Sequence, residues 1–92
     1  MKTLVIYDIS DDNIRIAIGE ACKDFGLSRI QKSAFLGYLT SSRRKELRAT
    51  LKRILGNASG NIQIFPLCNA CLALREIIGE VTIQYEPSVV IV

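Results

Sequence analysis

The sequence predicts an α+β fold in which strands and helices follow the order β-α-β-β-α-β. Three observations predict it: a nearly continuous apolar run near the N-terminus, two stretches with apolar residues at helical spacing, and alternating apolar and polar residues around them. A chain of 92 residues has too little apolar surface for two cores, and its 49% hydrophobic content is that of a folded protein. We therefore predict a single domain, with residues 1–67 as its core and residues 68–92 as an extension.

The first strand and the first helix are predicted within the first 26 residues. Lys2 to Asp8 is mostly aliphatic and aromatic, which is typical of a central strand covered on at least one face. The polar residues 10–13 then offer side-chain acceptors to the open N–H groups of a helix start. Apolar residues recur at helical spacing after them, and Gly26 stands where helices commonly end, so we predict a helix over residues 11–25.

Residues 28–40 have strand character but exceed the usual length of one strand. We expect two short antiparallel segments here, with the break at Gly37. Ser41 or Ser42 is then expected to cap a second helix, whose apolar stripe ends at Gly56.

The fourth strand is predicted over residues 61–65, where apolar and polar side chains alternate until Pro66 removes a backbone donor. This order of elements is the ferredoxin-like arrangement, a four-stranded antiparallel sheet with both helices on one face. Residues 68–78 are expected to form a short helix or a loop, and residues 81–85 alternate as a fifth strand. Such a strand offers an edge for pairing with another chain, so we expect self-association.

The three cysteines predict neither a disulfide framework nor a complete metal site. An odd number cannot all pair within one chain. Cys68 and Cys71 have the spacing of half a zinc site, but the chain has no histidine and only one other cysteine, Cys22. Four soft ligands would therefore need a second subunit. A redox role for Cys68 and Cys71 lacks a thioredoxin-like neighbourhood, so we expect this pair to be small buried thiols instead.

The apolar runs are too short for a membrane protein. The longest, residues 70–74 and 89–92, fall far below the roughly 20 residues that cross a bilayer. No apolar stretch of signal-peptide length follows the N-terminus. We expect a cytoplasmic protein without a membrane partner.

The positive charge is concentrated in one segment. The net charge of +3 is mild, but six of the twelve basic residues fall within eleven positions that contain a single acid, Glu46. Some of them lie opposite the apolar stripe of the predicted second helix, where they could bind an anionic partner. The candidate nucleic-acid-binding residues on that side are Lys45, Arg48 and Lys52.

Asp8 is the first candidate for catalysis, because it lies at the C-terminal end of the first strand, immediately before a helix start. It could instead only accept backbone hydrogen bonds in the turn, a common use of aspartate. A carboxylate suits Mg²⁺, an ion that prefers hard oxygen ligands and can activate water for attack on a phosphodiester. One carboxylate per chain is a small site, but a two-fold axis near Asp8 would place two of them around one ion.

Basic and aromatic residues are the next candidates. Arg15, Arg29 and Lys32 are the basic residues nearest to Asp8 in chain order, although each could belong to a solvated charged face. Phe35 is either a core aromatic or a platform on which a base stacks. Residues 34–38 do not match the aromatic signature of RNA-recognition domains, which argues against that family.

Three segments together resemble the second CRISPR-associated core protein, the small adaptation subunit found beside the CRISPR integrase. They are VIYDISDDNIR at 5–15, GLSRIQKSAFLG at 26–37 and IQIFPL at 62–67. The resemblance implies a ferredoxin-like homodimer in which the terminal strand crosses to the partner's sheet. It also implies a role in antiviral defence, in the acquisition of new spacers from invading nucleic acid.

The resemblance further implies metal-dependent endonuclease activity on RNA or DNA, with Asp8 as the ligand for Mg²⁺ or Mn²⁺. Ala17 stands where the family can carry a second arginine, so the choice between RNA and DNA stays open. Four further residues match positions with supporting roles in catalysis: Tyr7, Arg15, Arg29 and Phe35.

The same family supports a second function, that of a non-catalytic dimeric scaffold. It would bind duplex DNA and bridge the subunits of the integrase, with the basic residues of the second helix on phosphates, which position a duplex without reading its sequence. A toxin-like ribonuclease of similar fold is a third alternative. A regulatory dimer that binds a small ligand is the fourth, and the scarcity of convergent polar residues disfavours it.

Overall fold

The computed structural model describes residues 1–80, which form four strands and three helices. In chain order these are β1 (Lys2–Ile9), α1 (Asp12–Asp24), β2 (Ser28–Gln31), β3 (Ala34–Tyr38), α2 (Ser41–Leu55), β4 (Gly60–Leu67) and α3 (Asn69–Ala73). The strands form one antiparallel sheet in the order β2-β3-β1-β4, and α1 and α2 pack on one face of it. The predicted ferredoxin-like fold is confirmed. The predicted fifth strand, residues 81–85, lies outside the described residues.

Side chains alternate along β1 between two different environments. On the side of α1 and α2 they are fully or almost fully buried; these residues are Thr3, Val5, Tyr7 and Ile9. On the opposite side, which we call the open face, lie Leu4, Ile6 and Asp8, of which Ile6 and Asp8 are exposed. One face of the sheet therefore belongs to the core, and the other face is not covered by α1 or α2.

The core lies between the sheet and the two long helices. α1 contributes Ile18 and Cys22, and α2 contributes Leu47 and Leu51, all with at most 1% of their surface exposed. Burying a large aliphatic side chain stabilises a fold by about 1.5–3 kcal/mol. These contacts hold α1 and α2 at a fixed position over β1 and β3.

The helix ends agree with the predictions except at the start of α2. α1 spans the predicted helix, with Asp11 and Phe25 as its caps. α2 begins one residue earlier than expected, because the Oγ1 of Thr40 accepts a hydrogen bond from the Arg43 N–H at 3.1 Å. The predicted cap at Ser41 or Ser42 is therefore wrong: both serines are already helical.

The segment after α1 divides into two strands as predicted, but not at Gly37. The chain reverses between β2 and β3 at residues 32–33. Gly37 lies within β3 and is buried, and a Cβ there would come within 2.8 Å of the Leu27 Cδ2 atom. A glycine is needed here for close packing against Leu27, so the predicted break was in the wrong place.

Pro66 does not end the last strand. β4 continues through Pro66 to Leu67, with Pro66 opposite Thr3 of β1. Among residues 1–80, β4 pairs only with β1 and is therefore an edge strand of the described sheet. Edge strands tolerate a proline because one side of their backbone has no partner strand to donate to.

α3 follows β4 and covers part of the open face. Its Leu72 is buried against residues of β2 and β3, namely Ile30, Ala34 and Leu36. Cys68 and Cys71 are exposed, so the prediction that this pair consists of small buried thiols is wrong; Cys22 is buried. No helix within residues 1–80 is long and apolar enough to cross a membrane.

Replacing Leu47 by alanine is expected to lower the free energy of unfolding by about 2–5 kcal/mol, because it leaves a cavity under α2. The matched control is Leu74→Ala, whose side chain is 81% exposed while that of Leu47 is fully buried. The control should change stability by no more than about 0.5 kcal/mol. Urea unfolding at one fixed protein concentration measures both, and equal effects of the two variants would contradict the described core.

Candidate functional site

Asp8 and Tyr7 are neighbours in sequence but lie on opposite faces of the sheet. Asp8 is exposed on the open face at the end of β1, opposite Asn61 of β4. Tyr7 is 3% exposed and lies beneath α1 and α2. The structure therefore separates two side chains that the sequence suggested as one site, since successive side chains of a strand point to opposite faces.

The turn between β2 and β3 lies beside this end of β1. The Tyr7 N–H donates to the Ser33 carbonyl oxygen at 3.0 Å. The Arg29 guanidinium donates to the carbonyl oxygen of Lys32 and so holds the turn from the other side. The turn therefore lies next to Tyr7, but the Arg29 guanidinium is on the core face beside the Tyr7 hydroxyl, opposite the face that carries Asp8.

Arg29 is fixed by aromatic rings rather than by a carboxylate. Its guanidinium carbon lies 4.7 Å from the centre of the Phe35 ring, and the Phe35 and Tyr7 rings stack with centres 6.3 Å apart. Arg29 and Phe35 are also paired across β2 and β3. Such a cation–π contact contributes about 0.5–2 kcal/mol, and it fixes the direction in which the guanidinium points.

Phe35 is a core aromatic and not a platform for a base. It is fully buried, with one neighbour in Tyr7 and another in Arg29. The stacking interpretation is therefore wrong for this conformation, because a base needs an open ring face. The pairing with Arg29 could not be recognised from the alternation alone, since it depends on the register of β2 against β3.

Gly19 of α1 makes room for this cluster and was missed in the sequence. A Cβ at this position would lie 3.2 Å from the Arg29 Nη2 atom, 3.4 Å from the Tyr7 hydroxyl and 3.6 Å from the Phe35 ring. A glycine inside a helix costs about 1 kcal/mol relative to alanine. Its presence in the middle of α1 was therefore a usable signal of close packing.

Gly60 performs a similar function on the β4 side. It pairs with Ile9 at a φ of 127°, a backbone conformation that other residues rarely adopt, and a Cβ there would collide with the carbonyl oxygen of Asp8. Glycine therefore allows β4 to reach the end of β1 that carries Asp8.

Burial also determines the protonation of the groups under α1. It raises the pKa of the Tyr7 phenol above its usual value, against the opposing effect of the Arg29 guanidinium. Burial likewise raises the pKa of the Cys22 thiol to about 12, and Arg29 again opposes the shift. Burial thus favours the neutral, protonated form of both groups.

Arg15 contacts the chain next to Asp8. Its guanidinium donates to the Ile9 carbonyl oxygen at 3.4 Å and pairs with Asp12 in the first turn of α1. About a third of the side chain, 34%, remains exposed. Arg15 thus places a positive charge at the same end of β1, but its described hydrogen bonds are structural.

A basic groove runs between α2 and β4. Lys45, Arg48 and Lys52 are all exposed on α2, as predicted. The groove encloses about 300 Å³, and its lining consists of Ser41, Arg44, Lys45, Arg48, Ile64 and Pro66. Arg43 does not belong to it, because its guanidinium stacks on Phe25 at 4.3 Å and pairs with Glu46.

The carboxylate and the basic groove lie on different surfaces. α2 packs on the core face of the sheet, whereas Asp8 projects from the open face. Asp8 and the cations of α2 in one chain therefore do not converge on one phosphate. A role of the α2 cations and a role of Asp8 can therefore be tested separately.

These features define a ferredoxin-like protein with a carboxylate at the end of its first strand and a separate basic helix. The sequence model of the family described as CRISPR associated protein Cas2 matches residues 1–74. The chain belongs to this family, as the resemblance indicated.

Relatives and solved structures agree with this assignment. A protein of Desulforudis audaxviator named CRISPR-associated endoribonuclease Cas2 is 47% identical over 78 residues, which cover 85% of this chain and 74% of the relative. A Thermoproteus tenax protein named a CRISPR-associated endonuclease Cas1/endonuclease Cas2 fusion is 37% identical over 65 residues, 71% of this chain and 25% of the relative. The crystal structure of Streptococcus pyogenes Cas2 has the same fold, with a TM-score of 0.66 at 23% identity; the match covers 74% of this chain and 87% of that one.

The buried thiol of Cys22 gives a prediction for the dependence of stability on pH. An unfolded thiol ionises near pH 9, whereas the folded one keeps its proton to about pH 12. The resulting contribution to stability is complete below pH 9 and is lost as the pH rises toward 12, because the unfolded chain releases its proton first. The difference in free energy of unfolding between the wild type and Cys22→Ala should therefore shrink above pH 9.

The matched control for this prediction is Cys68→Ala, which removes an exposed thiol. A hydrogen bond from Cys71 lowers the pKa of Cys68, so this control should show no such loss. Urea unfolding across this pH range measures both variants. If the free energies of unfolding of the wild type and Cys22→Ala change with pH in parallel above pH 9, the raised pKa of the Cys22 thiol is contradicted.

Proposed function

We propose that this chain is a metal-dependent endonuclease that cleaves phosphodiester bonds in RNA or DNA and acts as a homodimer in the acquisition of new CRISPR spacers. The observation that carries the proposal is the position of Asp8, an exposed carboxylate at the end of β1 on the open face. The endoribonuclease name of the Desulforudis audaxviator relative supports the activity.

The open face supports association of two copies. Ile6 is 40% exposed there, and an apolar groove of about 240 Å³ follows it along the sheet. The groove is lined by Leu4, Ile6, Ile30, Gln31, Ala34, Leu36, Leu67, Leu72 and Arg75. A second copy related by a two-fold axis would remove this apolar surface from water.

The same association would bring two Asp8 side chains toward each other. Asp8 lies two residues beyond Ile6 on the same face of β1, a spacing of roughly 7 Å along the strand. An interface through Ile6 therefore has the Asp8 carboxylates at or near its margin. Within the part of the chain that the structure describes, the outer edge of β4 has no partner strand, so it could take up the predicted exchange of residues 81–85 between the two chains.

The residues present fit Mg²⁺ or Mn²⁺ in chemistry, and the number of ligands requires two chains. The Asp8 carboxylate supplies hard oxygen atoms, which both ions prefer. Within residues 1–80, no group of three or more histidine, cysteine, aspartate or glutamate side chains could hold an ion. Asp8 of both copies would therefore hold the ion together.

The remaining candidates act around Asp8. Arg15 donates to the Ile9 carbonyl oxygen and Lys32 lies in the β2–β3 turn, so these two residues would place positive charge near this end of β1, where it can offset the charge that develops on a phosphate. Arg29 lies on the core face and would act by holding that turn. Tyr7 and Phe35 position Arg29 rather than touch the substrate. When bound, the ion would supply Lewis-acid stabilisation of the phosphate and lower the pKa of water.

Replacing Asp8 by asparagine is expected to reduce Mg²⁺-dependent cleavage by at least about 100-fold, the effect of losing one stabilising group for the transition state. Asparagine keeps the size of the side chain and removes its charge. The matched control is Asp24→Asn at the exposed end of α1, which should retain full activity. Cleavage of a labelled RNA and a labelled DNA measures activity and also determines the substrate.

Two results would contradict the catalytic proposal. The first is cleavage at the wild-type rate by purified Asp8→Asn protein, which would place the activity elsewhere. The second is a wild type that binds duplex DNA and the integrase normally but cleaves neither nucleic acid.

The proposed dimer interface through Ile6 gives a further prediction. Ile6→Lys should convert the dimer into a monomer, because the two-fold axis would bring like charges together in an apolar contact. Ile16→Lys is the matched control, since Ile16 is 61% exposed on α1, away from the open face. Sedimentation measures both, and a dimer that tolerates Ile6→Lys would contradict this interface.

Truncation after Gly79 tests separately whether residues 81–92 contribute to the dimer interface.

The basic groove supports a second function, a scaffold that binds duplex DNA and bridges the integrase. Its cations lie on a surface apart from Asp8, so a duplex could bind there without cleavage. The Thermoproteus tenax relative is named as a fusion of endonuclease Cas1 and endonuclease Cas2 in one polypeptide, which supports a partner of this kind for the chain.

Replacing Arg48 and Lys52 together by alanine should flatten the salt dependence of duplex binding. Each lost phosphate contact reduces the steepness of the plot of log K against log salt concentration by about 0.9. The slope for the double variant should therefore be less steep by about 1.8 per chain. The matched control is Arg48→Lys with Lys52→Arg, which keeps both charges and should keep the slope. An unchanged slope in the alanine variant would exclude α2 from the binding surface.

A further inference from the structure

Cys68 and Cys71 form a pair of exposed thiols that the proposed function does not use. Cys68 caps α3, and its Sγ accepts a hydrogen bond from the Cys71 N–H at 3.4 Å. The Cys68 carbonyl oxygen accepts a second bond from the Leu72 N–H at 3.1 Å. The first bond holds the Cys68 sulfur over the first turn of α3, and the second holds the Cys68 backbone in its capping position.

The backbone already has the spacing that a disulfide needs. Cys68 is the N-cap of α3 and Cys71 lies in its first turn, a spacing of three residues that places the Cα atoms roughly 5–6 Å apart. Disulfides are observed at Cα separations of about 4.4–6.8 Å. A bond between the two sulfurs therefore requires rotation of side chains and no rearrangement of α3.

The two thiols differ in chemistry. Hydrogen bonds from Cys71 lower the pKa of the Cys68 thiol below its usual value. The same pairing raises the pKa of Cys71, which thus keeps its proton. The thiolate is the reactive form, so Cys68 is the nucleophile and Cys71 the second, resolving thiol. Cys22 is buried, and its raised pKa makes it unreactive by comparison.

A metal site fits these two residues less well. Two thiolates fill half of a tetrahedral zinc site. Among residues 1–80 no third histidine, cysteine, aspartate or glutamate joins them. The exposed pair is therefore better suited to sulfur exchange than to holding an ion.

We propose that Cys68 and Cys71 form a thiol–disulfide exchange site whose substrate is a low-molecular-weight disulfide. The Cys68 thiolate attacks one sulfur of that disulfide, forms a mixed disulfide and releases the first thiolate. Cys71 then gives its proton to the released thiolate and attacks the Cys68 sulfur, which expels the second thiolate; this one takes up the proton that Cys68 lost to solvent. The protein is oxidised to the Cys68–Cys71 disulfide while the small disulfide is reduced to two thiols.

The test treats the full chain with oxidised glutathione and follows it by mass spectrometry. In the wild type, the protein should lose two hydrogen atoms, and the disulfide should map to the peptide that contains both residues. Cys22 should remain a free thiol in the folded protein. Reduction with dithiothreitol should restore the original mass.

Two serine variants separate the roles of the thiols, and neither removes a buried group. Cys71→Ser should accumulate the mixed disulfide with glutathione on Cys68, because nothing resolves it. Cys68→Ser keeps an oxygen that can cap α3, and its Cys71 should react at least about tenfold more slowly than Cys68 does in Cys71→Ser. Circular dichroism and thermal unfolding confirm that both variants are folded.

Four results would overturn the proposal. They are a persistent mixed disulfide in the wild type, covalent dimers instead of an internal disulfide, faster reaction at Cys71 than at Cys68, and equal reaction of all three cysteines. Each would show that α3 does not bring the two thiols together as an exchange pair.

Discussion

The alternation of side chains along β1 determines the arrangement of every candidate group in this protein. Because β1 is central in the sheet, its odd-numbered residues are buried under α1 and α2, and its even-numbered residues face outward. Tyr7 consequently joins the core, and Asp8 remains accessible at the end of the strand. A shift of one residue in register would bury the carboxylate and expose the phenol, at a large cost in desolvation.

The open face presents two features that a second copy would resolve together. It has an exposed apolar surface around Ile6. It also carries the Asp8 carboxylate, and among the described residues Asp8 belongs to no group of three or more ligands that could hold a divalent ion. Association of two copies about a two-fold axis would cover the apolar surface and bring a second Asp8 carboxylate to the site. The basic groove lies on the other side of the sheet and would stay free in such a dimer, so a duplex could bind without access to Asp8.

Local patterns in the sequence predicted the order of elements, because strand alternation and helix caps depend on residues close together in the chain. Gly26 and Gly56, for example, follow the two long helices as expected. The failures involve contacts between distant residues. Gly37 was taken for a break because its packing against Leu27 cannot be read from its neighbours, and Pro66 is tolerated only because β4 is an edge.

The candidate site was predictable only where it depends on residues close together in the chain. Asp8 could be identified by its place after a strand, and the basic stripe by its helical spacing. The burial of Phe35 against Arg29 depends on strand register, and the exposure of Cys68 and Cys71 depends on which side of α3 meets the sheet. Gly19 was the exception: a glycine inside a helix is a local signal, and it marks the cluster of Tyr7, Arg29 and Phe35.

The stoichiometry of Mn²⁺ binding tests the central claim, that two chains share one ion through Asp8, most directly. Isothermal titration of the wild type should give one ion for every two chains, and the monomer expected from Ile6→Lys should lose this binding while it remains folded. A stoichiometry of one ion per chain, retained in the Ile6→Lys monomer, would contradict a site built from two copies of Asp8.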